Sequence, residues 1–212
     1  MQWTLVVPLK PLDRAKSRLS DTADDGLRPG LALAFAQDTV AAALACPAVR
    51  DVVVVTDDAR AGRALGALGA GIVPDEPGSG LNAALAHAAA VARAFRRAGR
   101  VAALNADLPA LRPAELARVL DTAAEFPRAF LADTAAIGTT LLAASPDREL
   151  RPCFGPGSRA RHRASGAVEL CLDAVDSVRQ DVDTGDDLRA ALALGVGPHT
   201  AAAAARLPVP EQ

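Results

Sequence analysis

Apolar positions along this chain keep two alternating rhythms. Short runs such as Trp3-Thr4-Leu5-Val6-Val7, Val52-Val53-Val54-Val55-Thr56 and Val101-Ala102-Ala103-Leu104 end abruptly at a proline or a polar cluster. Such runs suit strands buried on both faces. Between them, apolar residues recur at helical spacing. This predicts helices over about 29–45 and 59–68, and another with Leu81, Leu85, Ala88, Val91 and Phe95 on one face. Further strands are predicted at 71–73, 129–133 and 139–144, with a helix opening at Pro113. Ser158 reads as the N-cap of another helix, and a last helix of Ala and Leu begins near Gly185. Strand–helix alternation of this kind predicts an α/β fold of right-handed βαβ units, with a mixed, mostly parallel central sheet flanked by helices. No linker or internal repeat interrupts it. Residues 1–212 therefore read as a single domain, with 198–212 as a loosely ordered, Ala- and Pro-rich tail.

Composition narrows the picture. Half the residues are hydrophobic but only 3% are aromatic, so the core must pack through Ala, Leu and Val at close helix–sheet distances. A formal net charge of -2 gives no global attraction to nucleic acid or an anionic membrane. The three cysteines form no CxxC pair, which speaks against a disulfide framework or a zinc site and for a reducing compartment. No signal-peptide pattern and no membrane-length apolar stretch is present, so the expectation is a cytoplasmic protein.

Candidate chemistry gathers at strand ends. Pro109 disfavours helix at Leu108 and cannot donate to a ladder, so the strand at 101–104 stops and leaves Asp107 at a carboxyl edge. Open α/β folds place ligands there, although a turn-forming aspartate would look the same. A second acidic pair lies in Asp181-Val182-Asp183. In an extended strand, residues two apart share a face, so these carboxylates would stand side by side and repel unless a cation offsets them. Oxygen ligands suit Mg²⁺ or Mn²⁺ rather than zinc.

Two basic features and a glycine turn accompany the acidic ones. Lys10, Lys16 and Arg18 follow the first strand, where α/β proteins often bind phosphates, yet the glycines of a Rossmann fingerprint or P-loop are missing. They read either as triphosphate donors or as a solvated loop. Gly80-Leu81-Asn82 opens a helix whose backbone could hold an anion or a base edge, as could a plain glycine turn. In Phe154-Gly155-Pro156-Gly157-Ser158-Arg159-Ala160-Arg161-His162-Arg163, cations crowd a helix start that disfavours them. A bound anion would offset them; the other reading is a basic surface helix.

Together, the cationic loop at 10–19, Asn105-Ala106-Asp107-Leu108-Pro109, Gly138-Thr139-Thr140, the Phe154–Ser158 segment with Arg161-His162-Arg163, and Asp181-Val182-Asp183-Thr184 resemble one family. It is the guanylyltransferases of deazaflavin coenzyme F420 biosynthesis, which act on phosphoenolpyruvate or 2-phospho-L-lactate. The likeness spans nearly the whole chain. Asp-Leu-Pro is common to many nucleotidyltransferases, whereas Phe-Gly-Pro-x-Ser-x-x-x-His with Asp-Val-Asp-Thr is far more specific.

The resemblance implies a nucleotidyltransferase domain related to the glycosyltransferase-A arrangement. It implies that GTP and a phosphorylated three-carbon acid give a guanosine diphospho-linked product and pyrophosphate, with product hand-off to a downstream transferase. By the same likeness, Asp107, Asp181 and Asp183 hold Mg²⁺, with Mn²⁺ as the alternative ion. Thr140, Gly155 and Ser158 match positions that hold phosphoenolpyruvate. Lys10, Lys16 and Arg18 would face the GTP phosphates, and Asn82 would line the nucleotide pocket. Bacterial Ala-, Arg- and Gly-rich members go with phosphoenolpyruvate, which selects that acceptor over 2-phospho-L-lactate. Two rivals remain. A nucleotidyltransferase for another acceptor would usually carry a Gly-rich loop where this chain has Pro8-Leu9-Lys10-Pro11, and a non-catalytic GTP sensor would not need all three aspartates.

Overall fold

The computed structural model describes residues 2–14, 16, 19, 26–75, 80–95 and 99–207. Strand β1 (Trp3–Pro8) is followed by helix α1 (Arg28–Leu44), β2 (Val49–Val55), α2 (Ala59–Ala67), β3 (Gly71–Val73) and α3 (Leu81–Phe95). Then come β4 (Arg100–Leu104), α4 (Pro113–Ala123), β5 (Arg128–Ala132) and β6 (Thr139–Ala144). The chain continues through α5 (Ser158–Ala164), β7 (Val168–Glu169), α6 (Asp176–Arg179), α7 (Gly185–Leu194) and α8 (Pro198–Ala204). The strands form one seven-stranded sheet in the order β3-β2-β1-β4-β6-β5-β7. Pairs β1–β2, β1–β4, β2–β3 and β5–β7 are parallel, while β6 runs antiparallel to both β4 and β5. The mixed, mostly parallel sheet expected from the alternating rhythm is the one observed.

Local signals start the helices. Pro29 and Pro113 occupy first turns, where a missing N–H costs nothing. Asp58 caps α2, accepting from the backbone N–H groups of Arg60 and Ala61. Thr184 and Asp187 form a reciprocal capping box at the start of α7. Side chains alternate across β1: Leu5 and Val7 join the layer containing Val40, Leu116 and Leu120, while Val6 joins Leu85, Phe130 and Leu142. With so few aromatic residues, alanines such as Ala36, Ala102 and Ala143 bring helices and strands close, and they are almost wholly buried.

Three expectations change. Asp181-Val182-Asp183 is not a strand but an irregular segment, held where the Val182 N–H donates to the Asp107 carbonyl (3.1 Å). The N-cap of α5 is Gly157, at a left-handed φ of 68°, rather than Ser158, which becomes the first helical residue. The loose tail expected from 198 onward is, over Pro198–Ala204, a helix docked on α1. Its anchor is Asp38, nearly buried in α1, whose carboxylate accepts from the backbone N–H groups of His199 (3.1 Å) and Thr200 (2.7 Å). A charge brought from far along the chain satisfies the otherwise orphaned amides of that helix start.

Removing that anchor leaves the buried Thr200 N–H and the partly buried His199 N–H without an acceptor. Asp38→Ala is therefore expected to destabilise the fold by about 1–3 kcal/mol. This would be read as a lower urea midpoint with unchanged slope. An unmoved midpoint would mean that α8 docks by apolar contact alone.

Candidate active site

The sheet determines where a site can form. From β1 the chain crosses to β2 on one side, while β4 lies on the other, so the carboxyl ends of β1 and β4 splay apart at a topological switch. Antiparallel β6 brings its first residues beside the end of β4, with the Asn105 N–H donating to the Thr140 carbonyl (2.9 Å). A cleft of about 620 Å³ opens there, its wall including Leu9, Lys10, Asn105, Asp107, Thr139 and Ser158.

Acidic residues arrive in this cleft from three directions. Asp107 follows β4 in a turn held by the Thr39 hydroxyl, which accepts from the Leu108 N–H (3.0 Å). Asp181 and Asp183 flank Val182, which is fully buried and packs in the cluster of Leu19, Leu31, Phe35 and Leu188. Burying the middle residue turns both neighbours toward the cleft, and the bond from Val182 to Asp107 ties the two acidic segments together. Asp133, at the end of β5, adds a fourth carboxylate to the lining, although it accepts from the backbone N–H groups of Ile137 and Gly138. A Cβ at Gly138 would run into that carboxylate and push it from the place where it accepts those two bonds.

Lys16 answers this charge. Its ammonium pairs with Asp107 and with Asp183 (3.0 Å). Burial alone would pull the Lys16 pKa down, but the two aspartates outweigh it and hold the group firmly protonated. Asp181 moves the other way: burial, then the like charges of Asp107, Asp183 and Asp133, raise it to about 8. Asp107 Oδ1 is buried without a hydrogen-bond partner among the described residues. An orphaned carboxylate oxygen and a carboxyl pushed toward protonation are what a site for a small hard cation would show in its absence. Among the described residues no trio of carboxylate, histidine or cysteine groups stands at ready-made ligand spacing, and the Lys16 ammonium supplies the positive charge instead.

The glycine-rich segment before α5 forms the opposite wall. Gly155 and Ser158 line the cleft, with Gly155 at a left-handed φ of 112°. His162, fully buried, bonds to the Thr139 hydroxyl through Nδ1 (2.9 Å) and accepts from the Cys153 N–H at Nε2 (2.9 Å). Burial, then the nearby Arg128 and Arg161, lower its pKa to about 4. The ring is therefore neutral at physiological pH.

Of the residues singled out in the sequence, Asp107, Asp181, Asp183, Lys10, Lys16, Gly155 and Ser158 share this cleft. Arg18 lies outside the described residues. Thr140 is fully buried behind the wall, where its neighbour Thr139 takes the lining position. Asn82 spends its amide on the backbone of Phe154. The cations of α5 have an internal counterion: Arg159 (2.8 Å) and Arg163 both pair with Glu169, and Arg161 donates to the Cys153 carbonyl (3.1 Å). With His162 neutral, no bound anion is needed to explain that cluster. Asp133 and Thr139 were missed as lining residues. A strand-end aspartate five positions before a glycine was the available signal for Asp133; Thr139 had none.

The family model described as "Guanylyl transferase CofC like" matches residues 3–206. A phosphoenolpyruvate guanylyltransferase of Streptomyces coelicolor is 82% identical over 207 residues, covering 98% of each chain. Its counterpart in Streptomyces avermitilis is 80% identical over 210 residues, covering 99% of this chain and 97% of the relative. Among solved structures, CMP:2-keto-3-deoxy-manno-octonic acid synthetase complexed with CTP superposes with a TM-score of 0.58 at 18% identity, over 92% of this chain and 98% of that one. Rv0371c from Mycobacterium tuberculosis H37Rv, in complex with manganese, does so with a TM-score of 0.57 at 26% identity, over 91% and 98%. The fold is shared with a solved nucleotidyl transferase from Methanothermobacter thermautotroptrophicus, at a TM-score of 0.54 and 21% identity over 91% of this chain and 97% of that one.

The buried imidazole has a consequence for stability. Below its ordinary pKa of 6.5, the unfolded His162 takes a proton that the folded ring refuses until about 4. The stability it contributes is complete above about 6.5 and drains away as pH falls toward 4. His162→Gln should therefore show a shallower loss of Tm across that window than the parent. Identical pH profiles for the two proteins would contradict the buried neutral ring.

Proposed function

The chain belongs to the guanylyl transferase CofC-like family, and on that premise we propose that it joins the guanylyl group of GTP to phosphoenolpyruvate. The products are enolpyruvyl-diphospho-guanosine and pyrophosphate, in deazaflavin coenzyme F420 biosynthesis. The observation that carries this reading is the meeting, in one cleft, of Asp107, Asp181, Asp183 and Lys16 with the Gly155–Ser158 wall. One side suits a polyanion and its counterions, the other a small acceptor. The acceptor choice is supported by relatives 82% and 80% identical that are named for it.

An acceptor phosphate oxygen, already ionised at neutral pH, attacks the α-phosphorus of GTP. A new P–O bond forms, the bridge to the β-phosphorus breaks, and pyrophosphate leaves with the electron pair. No general base is required, and the buried neutral His162 is not placed as one. The difficulty is electrostatic: two polyanions must meet in line while charge builds on the leaving group. Lys10 lies at the cleft, where it would meet the triphosphate; for Arg18, outside the described residues, the same role rests on the family likeness alone. Lys16, paired with Asp107 and Asp183, adds a second ammonium to the same side of the cleft. Gly155 and Ser158 receive the acceptor.

Asp107, Asp181 and Asp183 are the residues that would hold a divalent ion, Mg²⁺ in this reading. Such an ion neutralises triphosphate and pyrophosphate charge. The orphaned Asp107 oxygen and the raised Asp181 fit it, and the manganese complex of the Rv0371c relative supports a divalent metal. No helix among the described residues is long and apolar enough to cross a membrane, and a cytoplasmic location completes the reading. The product is an activated phosphodiester donor, suited to hand-off to a downstream transferase.

Asp183→Asn should fold and lose about 10²-fold or more in kcat, the scale of losing a major electrostatic stabiliser. Incubation with GTP, Mg²⁺ and either phosphoenolpyruvate or 2-phospho-L-lactate, read by mass and pyrophosphate release, tests the activity itself. The expected result is the enolpyruvyl adduct. GTP binding without pyrophosphate release would make the protein a sensor and end the proposal.

A further inference from the structure

The segment that enters the acceptor wall is held by side chains from distant elements. Asn82, near the start of α3, accepts from the Phe154 N–H at Oδ1 (2.7 Å) and donates through Nδ2 to the Phe154 carbonyl (3.1 Å). The amide thus pairs with that residue as a neighbouring strand would. His162 accepts from the Cys153 N–H, and Arg161 donates to the Cys153 carbonyl. The backbone polar groups of Cys153 and Phe154 are all engaged just before the chain enters Gly155-Pro156-Gly157-Ser158. The His162 ring also meets Phe154 edge-on at 5.0 Å and Phe130 at 5.8 Å, so it is wedged as well as bonded.

The same ring sets a proton direction. Because the Cys153 N–H occupies Nε2 as a donor, the neutral ring carries its proton on Nδ1 and gives it to the Thr139 oxygen. The Thr139 hydroxyl, accepting that bond on one lone pair, does not spend its hydrogen on the ring and keeps it to donate. Thr139 stands in the cleft wall at an irregularity between β5 and β6, where Leu131 pairs with Leu141 but Ala132 pairs with Thr139. Such bulges re-aim side chains near sites.

We infer that Asn82 and His162 are positioning residues of the acceptor subsite: they fix the Cys153–Phe154 backbone, and His162 makes Thr139 a hydrogen-bond donor to the acceptor's anionic groups. This assigns Asn82 to the acceptor rather than to the nucleotide. It rests on the reading of Gly155 and Ser158 as the acceptor wall.

Steady-state kinetics with each substrate varied in turn tests it. Asn82→Ala, His162→Leu and Thr139→Val should each raise KM for phosphoenolpyruvate by about tenfold or more. KM for GTP should stay within about twofold, since uniform acceptor binding is what is lost. Asn82→Asp and His162→Gln keep the acceptor atom for Phe154 N–H and Cys153 N–H and should recover much of the loss. Equal rises in both KM values, or a lower Tm with both KM values unchanged, would overturn the inference. Should His162→Leu fail to fold, Asn82→Ala and Thr139→Val decide the matter by the same ratio of KM values. Ser158→Ala separates the levels. If it leaves KM for phosphoenolpyruvate unchanged, the acceptor wall is misplaced and the inference falls with it. If it raises that KM while the Asn82 and His162 variants do not, the wall stands and the positioning role alone is wrong.

Discussion

Mutual repulsion among carboxylates, confined where water cannot fully screen it, governs this molecule. Asp107, Asp133, Asp181 and Asp183 reach one cleft at the switch point of the sheet. Left to themselves, such groups would spread apart or take up protons. Two responses are visible. Asp181 is pushed toward protonation, and Lys16 places an ammonium between Asp107 and Asp183. Lys16 holds a left-handed φ of 58°, a backbone cost that its ion pairs offset. The result is a cleft wall in which carboxylates and one ammonium lie within direct contact of each other.

The other wall is built on the opposite principle, as a rigid neutral scaffold. A buried histidine with no net charge, a side-chain amide in strand-like pairing and an arginine all secure one short length of backbone. Beneath it, buried Arg128 gathers the carbonyls of Leu150, Arg151 and Ser165, tying the preceding loop to the end of α5. Polar groups so fully satisfied in a buried setting specify one geometry, because every alternative leaves some of them unpaired. The cleft thus joins an electrostatically loaded side to a geometrically defined one, as a reaction between a polyanion and a small acceptor requires.

The residues whose partners could not be foreseen along the chain share a cause. Arg159, Arg163 and His162 look like an anion site because the eye sees their neighbours in sequence; Glu169 is close in sequence as well, but only the β7 placement turns it onto the arginines. Asn82 follows a glycine turn typical of nucleotide loops, yet its partner is 72 positions away. The stretch after 198 lacks bulky apolar residues, so nothing in its composition announces that Asp38 will dock it. Asp181 and Asp183 keep the same-side placement expected of a strand without being one, since a buried Val182 between them imposes it.

By itself, the sequence determined β1 to β6 and the helices α1 to α5 and α7, the mixed sheet, the acidic positions at strand ends and the motifs that mark the family. These follow from local periodicity, proline and glycine geometry and capping, all properties of residues near one another along the chain. Only the tertiary structure decided which partner each polar side chain would have: Lys16 between the aspartates, Asn82 on Phe154, Thr139 rather than Thr140 in the wall. Hydrogen bonds and ion pairs act over a few ångströms, so their choice waits until folding has brought distant segments within that reach.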